Sequence, residues 1–419
     1  MMREEILAGV RRLEELLDSL PVPLGGDLKN RLAELRQLLF ETRAPRFVLV
    51  GRRGAGKSSL VNAIFGQHVA DLGHVDVGTL KPQWFPYHSA LGAIEVLDTR
   101  GFQEAERPDG GESPAAIIDS IVRACELRPA DAVLFLAKAK EVRSAIDTDV
   151  DLLEDICAAL YKRQGFPVPV IGIVTQCDEL EPKNVRLHLP SAEDASDLAE
   201  KVGRVREAEN ILCAKLREHD RLRAQLVTVM GLSAYMSWRV DGSCRSDERW
   251  RIEELMRLLF SELPNEARVE FARISRVQSI QREIGHKLTM TVAAVCSGIA
   301  ATPIPVADIA PITSLQVMLV MGIGYIAGRT LTMKSAAEML TALGANVGAA
   351  FALREAARAL IKFAFPGGGN VISATVAFAG TVGIGRAAVA YFIDGAPVDE
   401  VRRLYRLGRG AETPSAPEV

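Results

Sequence analysis

Apolar residues recur at helical spacing from Glu4 to about Thr42, as Leu7, Val10, Leu13, Leu17 and Leu20, then Leu28, Leu32, Leu35 and Leu39. The break at Pro21-Val-Pro-Leu-Gly-Gly26 divides this stretch into two predicted amphipathic helices, residues 1–45. Their polar faces mix charges of both signs, which favours packing on a neighbouring domain over lying on a membrane surface. From residue 46 to 265 the pattern changes to short apolar runs alternating with longer helical stretches. The runs are Phe47-Val-Leu-Val50, Ala93-Ile-Glu-Val-Leu97, Ala132-Val-Leu-Phe-Leu136, Val170-Ile-Gly-Ile-Val174 and Leu226-Val-Thr-Val-Met230. Such alternation predicts an α/β domain of three layers, with a mostly parallel sheet covered on both faces. Ligands of these sheets bind beyond the carboxyl ends of the strands. Glu181 to about Arg223 is polar and helix-prone, and Glu248 to Leu263 reads as a closing helix.

A charged helical connector is predicted over 266–288, followed by an apolar, all-helical domain over 289–400 and a tail over 401–419, of which Gly410 to Val419 reads as disordered. Leu288–Val306 and Ile309–Gly328 are almost free of charge, split at Asp308 by a cluster of Pro303, Pro305 and Pro311; Phe363–Gly385 is a third such run. Each is long enough to cross a hydrocarbon core of about 30 Å. Asp308 reads as a cap for the second helix rather than a residue placed in lipid. The runs are rich in Ala, Gly, Thr and Ser rather than Leu and Phe, and Arg354, Glu355 and Arg358 interrupt the helix between them. A helical bundle or hairpin that associates with membrane is the favoured reading, and a wholly soluble helical domain is the alternative.

The chain has 419 residues and a formal net charge of -3, so several domains are expected and there is no global attraction to phosphate backbones. Its six cysteines never form Cys-x-x-Cys, which argues against a zinc site or a disulfide framework and fits a reducing cytosol. The charged start, Met-Met-Arg-Glu-Glu, does not resemble a secretion signal.

Candidate chemistry lies at the ends of the predicted strands. Gly51-Arg-Arg-Gly-Ala-Gly56-Lys57-Ser58 fits Gly-x4-Gly-Lys-Ser between a strand and a helix. Gly51, Gly54, Ala55, Gly56, Lys57, Ser58 and Ser59 are therefore the expected phosphate-binding residues. Lys57 reaches the β/γ-phosphates and the Ser58 hydroxyl ligates Mg²⁺. Asp98-Thr-Arg-Gly101 follows the second run, where the Asp98 carboxylate suits a metal-bound water and the Gly101 N–H approaches a γ-phosphate. Thr79 lies in a loop between these sites, with a hydroxyl suited to completing the metal shell. Thr175-Gln-Cys-Asp178 closes a further run, and its Asp178 carboxylate matches the paired N1–H and N2 donors of guanine, which adenine lacks. Ser233-Ala234 follows the last run and can turn a backbone N–H toward the guanine O6. His68 and His74, near Asp71 and Asp76, read as solvated loop residues.

In this order the motifs resemble the translation-factor-related P-loop GTPases of the Era and TrmE-like type. The resemblance implies GTP/GDP and Mg²⁺ as cofactors, with Lys57, Thr79 and Gly101 catalytic, Ser58, Thr79 and Asp98 on the metal, and Thr175, Gln176, Asp178, Ser233 and Ala234 around the base. Gln176 replaces the lysine usual before x-Asp, losing a stem and charge that normally pack over the phosphate loop. Phe102 stands where Ras-like enzymes place a water-orienting glutamine, which implies slow intrinsic hydrolysis and activation by a protein partner or a homodimer. Gln103, Arg52, Arg53 and Arg100 are candidates for a substitute, though each reads first as a solvated residue.

The apolar region, through Ala300 to Asp308, Ser314-Leu-Gln-Val317, Phe378-Ala-Gly-Thr381 and Gly383-Ile-Gly-Arg386, is similar to the domain of unknown function 697. That likeness implies a bacterial protein and frequent membrane association; the expected location is the cytoplasm, at the inner membrane, with membrane lipid as a partner. The functional expectation is a nucleotide-dependent switch coupled to the apolar domain. Its rivals are a dynamin-like assembling scaffold, an ATPase, and a ribosome-assembly GTPase, which would carry a basic RNA-binding appendage. The sequence offers no such appendage, so nucleic acid is not an expected partner.

Overall fold

The structure is a computed structural model that describes residues 26–39, 41–70, 84–98, 114–144, 146–191, 195–301, 309–332, 335–336, 339 and 368–410. In chain order the elements are α1 (Gly26–Leu39), β1 (Arg46–Val50), α2 (Lys57–Phe65), β2 (Trp84–Ser89), β3 (Gly92–Asp98), α3 (Pro114–Glu126), β4 (Ala132–Lys138), α4 (Asp147–Gln164) and β5 (Val170–Thr175). There follow α5 (Ala195–Glu218), α6 (Asp220–Gln225), β6 (Leu226–Gly231), β7 (Met236–Trp238), β8 (Cys244–Asp247), α7 (Ile252–Glu262), α8 (Asn265–Ser275), α9 (Gln278–Ala301), α10 (Ile309–Ile326), α11 (Gly368–Phe392) and α12 (Val398–Gly410). The chain forms two compact units, one of Ala44–Ala267 and one of Met1–Arg43 with Arg268–Val419.

The first unit is a three-layer α/β domain of the P-loop GTPase type. Its six-stranded sheet runs in the order β2-β3-β1-β4-β5-β6. All pairings are parallel except β2 with β3. The five apolar runs read from the sequence are β1, β3, β4, β5 and β6, because Val, Ile and Leu on both faces suit strands covered by helices. Val48, Leu97, Val133, Phe135, Val170 and Val174 are buried with Leu153, Leu160, Leu212 and Leu216 from α4 and α5. The register sets Leu49 beside Asp98, Val50 beside Phe135 and Lys138 beside Thr175, so the strand ends that carry the candidate residues share one edge. Two features were not anticipated. The edge strand β2 contains Pro86, and the hairpin β7–β8 intervenes between Ser233-Ala234 and α7.

The second unit is helical. Helix α1 matches the second expected N-terminal helix and packs on α9; the first lies outside the described residues. The segment read as a connector is occupied by α8 and the start of α9, which runs unbroken to Ala301. Arg276, with φ 54, separates the two. Helices α9 and α11 approach closely through small residues: a Cβ on Gly385 would fall 2.2 Å from the Thr289 side chain, and one on Gly285 would fall 3.1 Å from Val389. Thr289 cannot swing aside freely, since it is buried and its hydroxyl donates to the Gly285 carbonyl at 2.7 Å. Two buried glutamines are bonded within the unit. Gln316 Nε2 donates to Thr381 Oγ1 at 3.1 Å, and Gln281 Nε2 donates to the Ile326 carbonyl at 3.0 Å. Residues 401–410, read as the start of a tail, instead continue the amphipathic helix α12, whose Val401 is buried against Ala387 and Ala390. Asp308 with its prolines 303 and 305, and the charges 354, 355 and 358, lie outside the described residues.

Candidate phosphate and base site

The turn after β1 has the conformation that its glycines allow. Gly54 and Gly56 have φ of 76 and 90, in the left-handed region where a side chain would be strained. Gly51 is excluded from carrying a side chain by contact, because a Cβ there would lie 2.5 Å from the Leu136 carbonyl of β4. Ala55 N donates to the Arg52 carbonyl at 3.0 Å, closing the turn, and Leu60 N donates to the Gly56 carbonyl at 2.8 Å, starting α2. Lys57 is buried at the first position of α2, and its Nζ donates to the Gly51 carbonyl and, at 3.3 Å, to that of Arg52. Its ammonium is thus folded back into the loop that would cradle a phosphate. Ser58 and Ser59 occupy the same first turn, where the N-terminal end of a helix favours an anion. Arg52 turns aside to pair with Asp149 at 2.7 Å.

Asp98 is the last residue of β3, adjacent in register to Leu49 and so beside the strand that feeds the loop. Ser58 and Asp98 offer hard oxygen donors of the kind that Mg²⁺ takes. Thr79, Gly101, Phe102, Gln103, Arg100 and His74 lie outside the described residues.

The third strand end meets the first directly. Thr175, 2% exposed, donates through Oγ1 to the Ala55 carbonyl at 2.9 Å and stands 3.3 Å from that of Ala137. Gln176, at φ 57, donates through Nε2 to the Gly54 carbonyl at 2.8 Å. The expected loss of contact between position 176 and the phosphate loop is therefore incomplete: the charge is gone, but a hydrogen bond holds the same two segments together. Asp178 follows in a short 3-10 turn, Cys177–Glu179. Among the described residues its carboxylate has no hydrogen-bond partner, while its carbonyl accepts from Lys201.

Lys201 is a residue that the sequence did not single out. It is 1% exposed, and its Nζ donates to the carbonyls of Asp178 at 2.7 Å, Val185 at 2.9 Å and Pro182 at 3.3 Å. Three acceptors match the three donors of an ammonium and fix the loop that carries Asp178. Burial pushes the Lys201 pKa down, opposed by the nearby carboxylates of Asp178 and Glu181. Cys177 beneath the turn is no nucleophile: burial pushes its thiol up to about 12.

Ser233 is fully buried and bridged to Trp250, with Ser233 N donating to the Trp250 carbonyl at 3.2 Å and Trp250 N returning the bond at 2.9 Å. Leu232 N donates to the Val174 carbonyl at 2.9 Å, which sets Ser233 and Ala234 beside the Thr175–Asp178 segment. Glu209 supports this turn by accepting from Gly231 N and Arg251 Nη1, both at 2.6 Å. The chain leaving α2 is held in turn by Asn62, whose Oδ1 accepts from Val69 N and Ala70 N and whose Nδ2 donates to the Ala70 carbonyl. His68 then meets Trp238 of β7, with ring centroids 5.8 Å apart. Arg249, after β8, donates to the Ala63 carbonyl at 2.8 Å, and Asp247 orients it. That guanidinium holds the Asp247 carboxyl below the usual carboxylate range.

Residues 46–168 match the family model described as a 50S ribosome-binding GTPase. The chain is 25% identical over 174 residues to the uncharacterised protein YkfA of Escherichia coli K12, covering 42% of this chain and 54% of that one. It thus spans about half the length of this curated relative. Among solved structures, Toc33 from Arabidopsis thaliana aligns at 14% identity over 57% of this chain and 93% of its own, with a TM-score of 0.34. The bacterial dynamin GTPase LeoA from ETEC aligns at 12% identity over 96% of this chain and 71% of its own, with a TM-score of 0.36. Likeness this distant transfers no role. The family match together with the phosphate loop shows a GTPase domain of the P-loop type within the α/β unit.

Proposed function

We propose that the protein is a guanine-nucleotide switch that binds GTP and hydrolyses it slowly to GDP and phosphate. The observation that carries this reading is the double tie from Thr175 and Gln176 to the carbonyls of Ala55 and Gly54. It fixes the segment bearing Asp178 against the phosphate loop, where a carboxylate acceptor suits guanine and would be left unpaired by adenine. Lys57 and the N–H groups of the α2 terminus hold the phosphates. Ser58, Asp98 and Thr79 would hold Mg²⁺, which when bound neutralises charge on the phosphate oxygens. Water attacks the γ-phosphorus as its bond to the bridging oxygen of GDP breaks, and the Gly101 N–H steadies the transferred group. Phe102 stands at the position of a water-orienting glutamine, so a protein partner or a second copy supplies the acceleration.

The helical unit is the output. Gln278–Ala301 and Ala374–Phe392 are long and apolar enough to cross a membrane, and 61% of an apolar 18-residue window in each is buried. In this reading nucleotide state decides whether these helices stay packed on one another or turn to lipid, on the cytoplasmic side of the inner membrane. A second reading, an assembling scaffold in which hydrolysis times association, is favoured by one observation: the N-terminal and C-terminal segments form a single unit, as a stalk would require.

Displacement of a fluorescent GDP analogue tests the base assignment. GDP is expected to compete about a hundredfold better than ADP, and Lys57→Ala to abolish binding; equal competition by both nucleotides rejects guanine selection. Liposome flotation with GDP and with a non-hydrolysable GTP analogue tests the coupling, which identical partitioning would remove. Light scattering in the same two states separates a scaffold, which grows with the triphosphate, from a switch of constant size.

A further inference from the structure

Gln176 brings a neutral amide to the phosphate loop, so the Thr175–Asp178 segment supplies no positive charge there. A different ammonium occupies that side of the loop. Lys138 ends β4 and is paired in register with Thr175 at the end of β5, so it emerges on the same sheet edge one strand away from Gln176. A Cβ placed on Gly54 would lie 3.6 Å from both Cε and Nζ of Lys138. The end of the side chain therefore covers the bare face of the glycine whose carbonyl Gln176 holds. Glu141 steadies the ammonium at 2.9 Å, and the turn is fixed by Ala139 N donating to the Thr175 carbonyl at 2.9 Å. The Lys138 side chain is 26% exposed, placed by these contacts yet still reached by solvent. An ammonium has three donors, so pairing with Glu141 leaves capacity for a second anion.

We propose that Lys138 is a nucleotide-binding residue, which supplies from β4 the positive charge beside Gly54 that the base segment lacks and so stabilises a bound nucleoside diphosphate. This rests on the guanine-nucleotide reading above. The plainer account is a turn pair with Glu141, and such a pair at a surface has little energetic weight. The two accounts differ in what happens to ligand affinity, since a turn pair has no reason to sense nucleotide.

GDP affinity of the full chain, measured by calorimetry across a salt series, decides between them. Lys138→Gln is expected to weaken GDP about tenfold, the weight of one charge-assisted contact, and to flatten the salt dependence. Lys138→Arg should stay within about threefold of the parent, because charge and reach are kept. Gln176→Lys placed in the Lys138→Gln chain should restore most of the affinity, by returning an ammonium to the same glycine. The proposal is overturned if Lys138→Gln binds GDP within twofold of the parent with an unchanged salt slope, or if the Arg and Gln variants lose affinity alike in step with their melting temperatures. A parent chain that binds no GDP overturns the guanine reading and this inference together; tight GDP binding that ignores Lys138 overturns the inference alone.

Discussion

The two units bury comparable kinds of apolar residue and use their polar residues in opposite ways. In the α/β unit the interior is filled by short runs such as Val48–Val50 and Val170–Val174, and the polar residues follow where the strands stop: Lys57, Asp98, Lys138, Thr175 and Ser233 gather along one sheet edge. There Thr175 and Gln176 bond to backbone carbonyls of the phosphate loop, and the carboxylate of Asp178 has no hydrogen-bond partner among the described residues. In the helical unit the polar residues sit within the apolar helices and bond to each other or to nearby backbone, as with Gln316 and Thr381, Gln281 and the Ile326 carbonyl, and Tyr325 with Glu270 at 2.5 Å. Arg273 lies over the same Tyr325 ring at 4.0 Å. Polar groups at strand ends stay available for a ligand, whereas polar groups inside a bundle are used to register one helix on another.

Substitutions aimed at each unit can break this contrast. The largest effect is expected at the closest helix approach. Gly385→Val forces a branched side chain into Thr289, which is fixed by its own hydrogen bond, and should cost about 3 kcal/mol of stability by overpacking, read as a shift in urea unfolding. A shift below about 0.5 kcal/mol would mean that α9 and α11 are free to separate, as helices destined for lipid would be. Next comes Lys201→Met, which keeps the volume but strands three carbonyls, at about 2 kcal/mol. Because one of those carbonyls belongs to Asp178, preference for GDP over inosine diphosphate should fall as well; a stability loss with undiminished preference would reduce Lys201 to scaffolding. The smallest effect concerns pH. The Asp247 carboxyl is held below its ordinary value near 3.9 by the Arg249 guanidinium, so its contribution is fully present above that value and is lost as pH falls through the lower, folded one. Asp247→Asn should therefore flatten the parent's acid limb only below about pH 4. An unchanged acid limb would show that Arg249 holds the Ala63 carbonyl without help.

Much of the α/β unit was legible because its signals are local. β1, β3, β4, β5 and β6 announced themselves as apolar runs, and the glycines of the phosphate loop could be read from spacing alone. Strand β2 escaped because Trp-Phe-Pro-Tyr-His-Ser carries a proline, tolerated only since β2 pairs on one side, antiparallel to β3. The β7–β8 hairpin escaped because Cys244–Asp247 is short and polar. Lys201 reads as one more charge on a polar helix, and Asn62 as a break in an apolar one. Only the fold shows that each satisfies backbone groups of a loop distant in sequence or turned back on itself. Lys138, at the end of an otherwise apolar run, gave no sign of its neighbour Gly54.

The five apolar strands of the main sheet, the phosphate loop and the acidic residue proposed to read guanine were legible in the sequence itself, since each depends on residues that are neighbours along the chain. The tertiary structure alone decided how position 176 keeps its grip on the loop, which lysine stands beside Gly54, and that the N-terminal helix belongs with the C-terminal helices. The physical reason is that a helix apolar on every side, such as α11, carries no face that names its partner. A side chain at a strand end acquires its meaning from the adjacent strand, which the register of the sheet supplies and the linear order does not.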